Sequence, residues 1–458
     1  MRAYFEKLLD SSQQQKQLPL IFPLLIALFS GAVFSFALAP YYWWWLAILS
    51  PALLYATLHN RSAKQAFAIG WSYGFGLWFV GAFWLYTSIH VYGDTNAFLS
   101  VCMIAVMALV MGLFTAFQTW VYRRFFPETP LTFAPLWIIF EWAKTWVFTG
   151  FPWLFVGYAF TERLLDGYAP LFGIYAISFV VIVLACALVE VLRKRIFWVI
   201  PAALLVLGAW GASYIQFVQP KAAKPLSVSL IQGNIPQDLK WLTEYQVRTL
   251  EIYAGLTQSE WGRDLIVWPE SSIPLFQTDI EPFLDAMDAQ AKKNHTAWVT
   301  GIPYWDVAKS HQVGSPLYYN SIMASGSDSS GLYKKQRLVP FGEYIPLSGL
   351  LSWVLPAMQN DISMSGFTRG ESDQKPLLIK GHALAAAICY EVAYPNLTRR
   401  NAEDSDFLVT VSNDAWFTGT AGPWQHLQMV QMRAKENGRW FIRATNTRSE
   451  EHTSELQS

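Results

Sequence analysis

Seven long apolar stretches fill the first 218 residues, and short apolar runs alternating with amphipathic segments fill the rest. A bilayer core about 30 Å thick takes about 20 apolar helical residues. Residues 20–38, 41–58, 66–89, 97–121, 131–150, 171–192 and 196–216 read as spans of that kind. Glu141 and Lys144 interrupt the fifth at a spacing that predicts a helix-face pair. The segment T-G-F-P-W-L-F-V-G-Y-A-F at 149–160 carries Gly and Pro within an apolar stretch, which predicts a break in helix. Broken backbone at membrane depth is tolerated where protein covers it or it lines a cavity, so lipid contact and a structural loop both stay open.

Beyond residue 218 the period shortens. Strands are predicted at 226–235, 264–270, 297–303, 318–325, 383–390, 406–412 and 440–446, with helices near 242–261 and 280–294. Their continuous apolar character predicts a sheet covered by helices. The chain therefore reads as a polytopic α-helical membrane bundle followed by an α/β domain. Residues 345–372, rich in Ser, Gly and Pro around L-L-S-W-V-L-P, read as a long loop able to cover a site or dip into lipid.

Charge sharpens the division. Residues 1–218 hold 12 Lys/Arg and 8 Asp/Glu of the 458-residue chain, and the remainder hold 21 and 25. The connections alternate: Arg2, Lys7 and Lys16 precede the first span, Arg61 and Lys64 follow the second, Arg123 and Arg124 the fourth, and Arg193, Lys194 and Arg195 the sixth. The first and third connections have no Lys or Arg, and the fifth has only Arg163. Under the positive-inside rule the N-terminus lies in the cytoplasm and the second domain outside, in the periplasm of a bacterium with two membranes. No small-residue cleavage site precedes W-W-W-L, so the first span reads as retained. A net charge of zero without a basic stripe gives nucleic-acid binding no support.

Three cysteines are too few for a disulfide framework. Cys102 and Cys186 lie in apolar spans and read as core residues, which leaves Cys389 without a partner. His295, His311, His382 and His426 are scattered without an i,i+4 pair, so neither a metal site nor a cofactor is expected, and His426 reads as structural.

Cys389 ends the run A-L-A-A-A-I-C-Y-E, Glu270 ends L-I-V-W-P-E, and Lys335 stands in Y-K-K-Q-R-L-V-P-F-G-E-Y. Each has an ordinary reading as core, strand-end or surface residue. Together they supply a thiol, a carboxylate and an ammonium at strand ends, the set that covalent acyl transfer needs. A cysteine beside an ammonium is expected to have a lowered pKa.

These three motifs resemble the Glu-Lys-Cys triad of the nitrilase superfamily. With the seven spans and Q-G-N-I-P-Q-D-L-K-W at 232–241, they resemble its membrane-embedded branch, the bacterial apolipoprotein N-acyltransferase family. The resemblance implies a bundle carrying a nitrilase-like α-β-β-α sandwich on the periplasmic side of the inner membrane. It implies a ping-pong reaction without cofactor, in which a phospholipid acyl chain passes through a thioester on Cys389 to the amine of a lipoprotein's diacylglyceryl-cysteine. By motif, Glu270 is the general base and acid, Lys335 the oxyanion stabiliser and Cys389 the nucleophile. Glu343 supports the triad, the Tyr390 backbone N–H completes the oxyanion hole, and Trp241, Asn320 and Glu391 handle substrate. The partners are membrane lipid, the phospholipid donor and the lipoprotein acceptor, and a monomer is expected. A membrane-tethered amidase or nitrilase hydrolysing a small amide is the alternative, and a non-enzymatic scaffold a further one.

The expected division is 1–218 for the transmembrane domain of about seven helices and 219–447 for the nitrilase-like domain. Residues 448–458, R-S-E-E-H-T-S-E-L-Q-S, share no apolar period with what precedes them and match one reading frame of a common sequencing-adapter oligonucleotide. They read as an assembly artefact replacing further strands and a last membrane helix. A natural stop codon after Ser458 in the re-amplified locus would contradict that reading.

Overall fold

A computed structural model describes residues 19–215, 218, 225–344 and 366–447. Among the described residues, seven α-helices lie in the first part: α1 Ile21–Phe34, α2 Leu46–Thr57, α3 Ala63–Gly81, α4 Ala97–Phe125, α5 Pro130–Ala143, α6 Ala169–Leu192 and α7 Val199–Ala212. Each falls on one of the seven apolar stretches, but the lengths differ from expectation. Among the described residues two helical segments, Ala97–Phe125 and Leu164–Leu192, are long and apolar enough to cross a membrane, while Ile21–Ala37, Leu46–Thr57 and Ile196–Ala212 are shorter apolar helices.

Local chemistry sets several of these ends. Ser62 opens α3 with a reciprocal cap: its hydroxyl accepts from Gln65 N at 3.3 Å, and the Gln65 side chain accepts from Ser62 N at 3.1 Å. Helices α3 and α4 touch where a Cβ on Gly74 would lie 2.6 Å from the Gly112 Cα, so only glycine permits that approach. The outward faces carry large apolar side chains, with Phe98 79% and Leu192 77% exposed.

The stretch read as a fifth span stops early. Helix α5 ends at Ala143, and Phe148, Thr149 and Gly150 all take positive φ (53°, 74° and 92°). Phe151 N then donates back to Lys144 O at 2.8 Å, closing a loop. The expected Glu141–Lys144 pair does not form. Glu141 Oε1 accepts from Trp137 Nε1 and Val156 N, while the Lys144 ammonium lies over the rings of Phe155 and Trp78 at 4.9 and 5.7 Å.

The second part builds nine strands among the described residues, in spatial order β1 to β9. They are β1 Val228–Leu230, β2 Leu265–Val267, β3 Ala297–Trp305, β4 Tyr318–Gly326, β5 Ser329–Lys334, β6 Leu377–Ile379, β7 His382–Ile388, β8 Phe407–Ser412 and β9 Phe441–Thr445. β1–β2–β3 and β7–β8–β9 run parallel, and the strands between pair antiparallel. Strand β5 joins the halves, pairing with β4 through Gly331–Lys334 and with β6 through Ser329 and Ser330.

Side-chain alternation turns this ribbon into layers. Leu265, Val267, Ala297 and Val299 of the first half share one buried cluster with Leu384, Ala386, Ile388, Val409 and Val411 of the second. The opposite face of the first half, Ile266, Trp268, Trp298 and Ile302, packs on helices α8 (Thr243–Thr257) and α9 (Glu281–Lys293). The opposite face of the second, Ala385, Ala387, Leu408 and Phe441, packs on helices α11 (Pro395–Ala402) and α12 (Gly422–Asn437), and this cluster runs on into the N-terminal helices. A short α10, Val307–Val313, links β3 to β4. The result is a helix–sheet–sheet–helix stack lying directly on the helical domain.

All seven predicted strands are present, five of them shorter than predicted and β3 and β4 slightly longer, but β5 and β6 have no counterpart in the prediction. β5 reads S-S-G-L-Y-K and β6 is three residues long, so neither makes an apolar run. The predicted loop at 345–372 falls outside the described residues except for 366–372.

Candidate active site

The three chemistry-bearing residues converge at strand ends. Glu270 follows β2 in a turn whose next residue, Ser271, has φ 47°. Strand β3 lies so close that a Cβ on Gly301 would meet Pro269 O at 2.4 Å, so glycine is what lets the Glu270 turn rest there. Lys335 follows β5, its N–H donating to Asn320 O at 2.8 Å. Cys389 follows β7 at φ 49°, a left-handed conformation that costs a non-glycine residue energy and is concentrated at functional turns.

The Lys335 ammonium, 1% exposed, stands 2.9 Å from Glu343 Oε1 and 3.3 Å from Glu270 Oε1. Asn320 Nδ2 donates to the same two oxygens at 2.8 Å each. The remaining oxygens are held by backbone: Asn413 N donates to Glu270 Oε2 at 2.9 Å and Val339 N to Glu343 Oε2 at 2.8 Å. Burial works to lower the Lys335 pKa, yet Glu343, Glu270 and Cys389 together raise it above the ordinary lysine value, so the ammonium is firmly charged.

The thiol behaves opposite to expectation. Burial pushes Cys389 well above the ordinary cysteine value, Glu270 adds to the rise, and Lys335 offsets only part of it. Burial is the larger cause, and the company Lys335 keeps is why the ammonium does not overcome it. An ammonium shared by two carboxylates has little net field left for a third anion.

Four other expected residues separate into different tasks. Asn320 joins the grouping. Glu391 is fully buried and accepts from Ile388 N at 2.7 Å, Gln336 N at 2.6 Å and Arg337 N at 3.0 Å, and from Tyr333 OH. It thereby ties the segment after Lys335 to the turn that carries Cys389. Burial pushes its carboxyl up to about 7, against the pull of those N–H donors. The Tyr390 hydroxyl donates to Gly150 O at 2.9 Å, and its ring stacks on Trp153 with centroids 6.4 Å apart. Half-buried Trp241 adjoins Lys240, whose ammonium is 6.0 Å from the indole centroid.

Three further residues belong to the site without having been expected there. Asn413 supplies a backbone donor to Glu270, and its signal was the polar residue directly after the 406–412 run. Lys240 donates to Glu270 O at 3.1 Å from within the Q-D-L-K-W motif. His426, read as structural, contacts the Cys389 carbonyl through Nε2 at 2.9 Å, with Asp414 3.3 Å from Nδ1 and Arg443 paired to Asp414.

Glu391→Gln should leave at least one of the three buried N–H groups without an acceptor. Unfolding of the detergent-purified chain should then show a loss of about 1–3 kcal/mol. Wild-type stability would mean that the carboxylate is not what joins the two segments.

Residues 30–187 match the family described as apolipoprotein N-acyltransferase N-terminal domain, and residues 227–457 match the carbon-nitrogen hydrolase family. The apolipoprotein N-acyltransferase of Azotobacter vinelandii is 41% identical over 435 residues, covering 92% of this chain and 83% of that protein. That of Coxiella burnetii is 38% identical over 434 residues, covering 92% and 87%. Among solved structures, a carbon-nitrogen hydrolase from Helicobacter pylori G27 matches 48% of this chain and 73% of its own at 14% identity and a TM-score of 0.32. Because the 41% identity runs through the helical part as well as the hydrolase part, the chain belongs to the apolipoprotein N-acyltransferase family.

Proposed function

We propose that the protein transfers an acyl chain from a phospholipid, through a thioester on Cys389, to the N-terminal amine of a diacylglyceryl-cysteine in apolipoproteins. The observation that carries this reading is the direct docking of an apolar helical domain on the nucleophile turn. Gly150 O accepts from both Tyr390 OH and Tyr394 OH, and Trp153 stacks on Tyr390. An amidase acting on a small soluble amide has no use for such a contact. An enzyme whose acyl donor resides in a bilayer does.

The chemistry follows from the charges. With the thiol protonated at rest, Glu270 takes its proton as sulfur attacks the ester carbonyl, so thiolate and bond form together. Lys335 and the Tyr390 backbone N–H then stabilise the oxyanion. Collapse breaks the ester C–O bond, and Glu270 returns the proton to the departing lysophospholipid oxygen. In the second half the lipoprotein amine attacks the thioester, Glu270 accepts the amine proton, and the C–S bond breaks to give the amide and the thiol. Asn320 and Asn413 N fix the Glu270 carboxylate for both transfers, and Glu343 holds Lys335 beside it.

The same reading sets the helical domain in the bacterial inner membrane, its exposed apolar side chains facing lipid, with the catalytic domain in the periplasm. The Lys/Arg alternation supports that orientation. A cysteine replacing exposed Asp328 should be labelled by an impermeant maleimide in spheroplasts, and one replacing exposed Lys194 only after lysis, both in a Cys389→Ser background. The reverse pattern would return the amidase alternative.

Incubation with phospholipid should add an acyl mass to the Cys389 peptide, and a diacylated lipopeptide should discharge it as amide. Cys389→Ala should abolish both steps, while Cys102→Ala and Cys186→Ala should keep them. Glu270→Gln should slow transfer by roughly 10²–10⁴-fold. Transfer by Cys389→Ala would end the covalent mechanism, and discharge to free fatty acid alone would identify a hydrolase.

A further inference from the structure

Resting on the covalent reading above, we infer that Lys240 is a second cation of the active site, acting through its charge on the anion that forms at Cys389. Its side chain is 1% exposed, and its ammonium donates to the Glu270 main-chain carbonyl at 3.1 Å. Among the described residues it forms no ion pair. A buried ammonium without a carboxylate in contact is costly and is kept where its charge is used.

The charge count says where. Glu270 and Glu343 face one ammonium, Lys335, so the grouping carries a net −1 before any reaction. That sign opposes both a thiolate and an oxyanion. Lys240 brings the count to zero, and it does so from the side of the Glu270 backbone.

The surrounding structure holds Lys240 there rigidly. Its own N–H donates to Pro236 O at 3.1 Å, and Ile235 at the base of this turn exchanges two bonds with the Asn446 side chain, at 3.0 and 2.9 Å. Asn446 Nδ2 also donates to Asn413 Oδ1 at 3.0 Å, and Asn413 Nδ2 to Gln237 Oε1 at 2.7 Å. Asn413 is the residue whose N–H holds Glu270 Oε2. The turn carrying Lys240 and the support of the general base are therefore one network.

The groups facing Lys240 are Glu270 and Cys389, and those facing Cys389 are Glu270, Lys335 and Asp414. Burial draws Lys240 down to about 8, while Glu270 and Cys389 hold it up. Charge developing on Cys389 thus favours the ammonium, and the ammonium favours that charge.

A purely structural role, donation to the Glu270 carbonyl, predicts different behaviour. Lys240→Gln keeps a donor and removes the charge, and Lys240→Met removes both. The rate of Cys389 alkylation by iodoacetamide, followed against pH on the full chain by peptide mass, reads thiolate formation directly. The rate at pH 7, below the Lys240 midpoint of about 8, should fall about tenfold or more in Lys240→Gln, equivalent to one unit in the thiol midpoint, and acyl-enzyme formation should slow with it. Lys240→Met should match Lys240→Gln, and it replaces that variant if the glutamine chain is not recovered folded. Wild-type alkylation in either neutral variant would overturn the inference, as would slowing in Lys240→Met that Lys240→Gln restores. Wild-type protein that forms no acyl-Cys389 would instead sink the covalent reading, and the alkylation profiles would still report on Lys240.

Discussion

One ammonium shared between two buried carboxylates organises this domain. Lys335 lies between Glu270 and Glu343, and each carboxylate reaches it from a separate segment of chain. Buried charges of this kind are tolerated only when every lone pair and proton has a partner. The partners come from Asn320 on β4, Asn413 after β8 and Val339 beyond Lys335. Strand order, turn geometry and the glycine at 301 all serve to bring those backbone and amide donors to one point. The cost of misplacing any of them is an unpaired charge in a dry interior.

The same arrangement explains why the nucleophile is not a ready thiolate. Burial disfavours an anion at Cys389, the Glu270 charge adds to that, and Lys335, held by two carboxylates, offsets only part of it. The thiol therefore keeps its proton until an electrophile is in place. A thiol that keeps its proton at rest also resists alkylation and oxidation, which follow thiolate character. Reactivity then depends on how Glu270 and the nearby cations respond as charge develops, not on a resting ion pair with Lys335.

Much of this was legible in the sequence because it depends on local pattern. Apolar runs marked seven helices and seven strands, and Glu270 and Cys389 stood at the ends of such runs. What was hidden depends on distance or on sterics. β5 and β6 have too few apolar side chains to make a run. The early end of α5 rests on positive φ at Phe148 and Thr149, which apolar composition does not reveal. The bond from Asn413 N to Glu270 joins residues 143 apart in sequence. The direction of the Cys389 shift rests on the burial of the thiol and on the nearby Glu270 charge, which only the fold supplies. Glu391 was visible as a motif residue, but its task was not, because its partners are backbone N–H groups from two separate segments.

The helical domain is joined to this site by a short irregular segment and not by a helix. Residues 149–153 present main-chain oxygens and an indole instead of an apolar helix face, and these meet Tyr390, Tyr394 and Gln425 of the second domain. A continuous helix would have spent those carbonyls on its own hydrogen bonds. Breaking the helix frees them as acceptors for two tyrosines flanking the nucleophile turn, and positive φ at three successive residues is the strain that keeps them free. The helical domain thus contributes to the placement of the turn that carries Cys389. An acyl chain arriving through the apolar domain would meet a nucleophile whose position that domain has already helped to set.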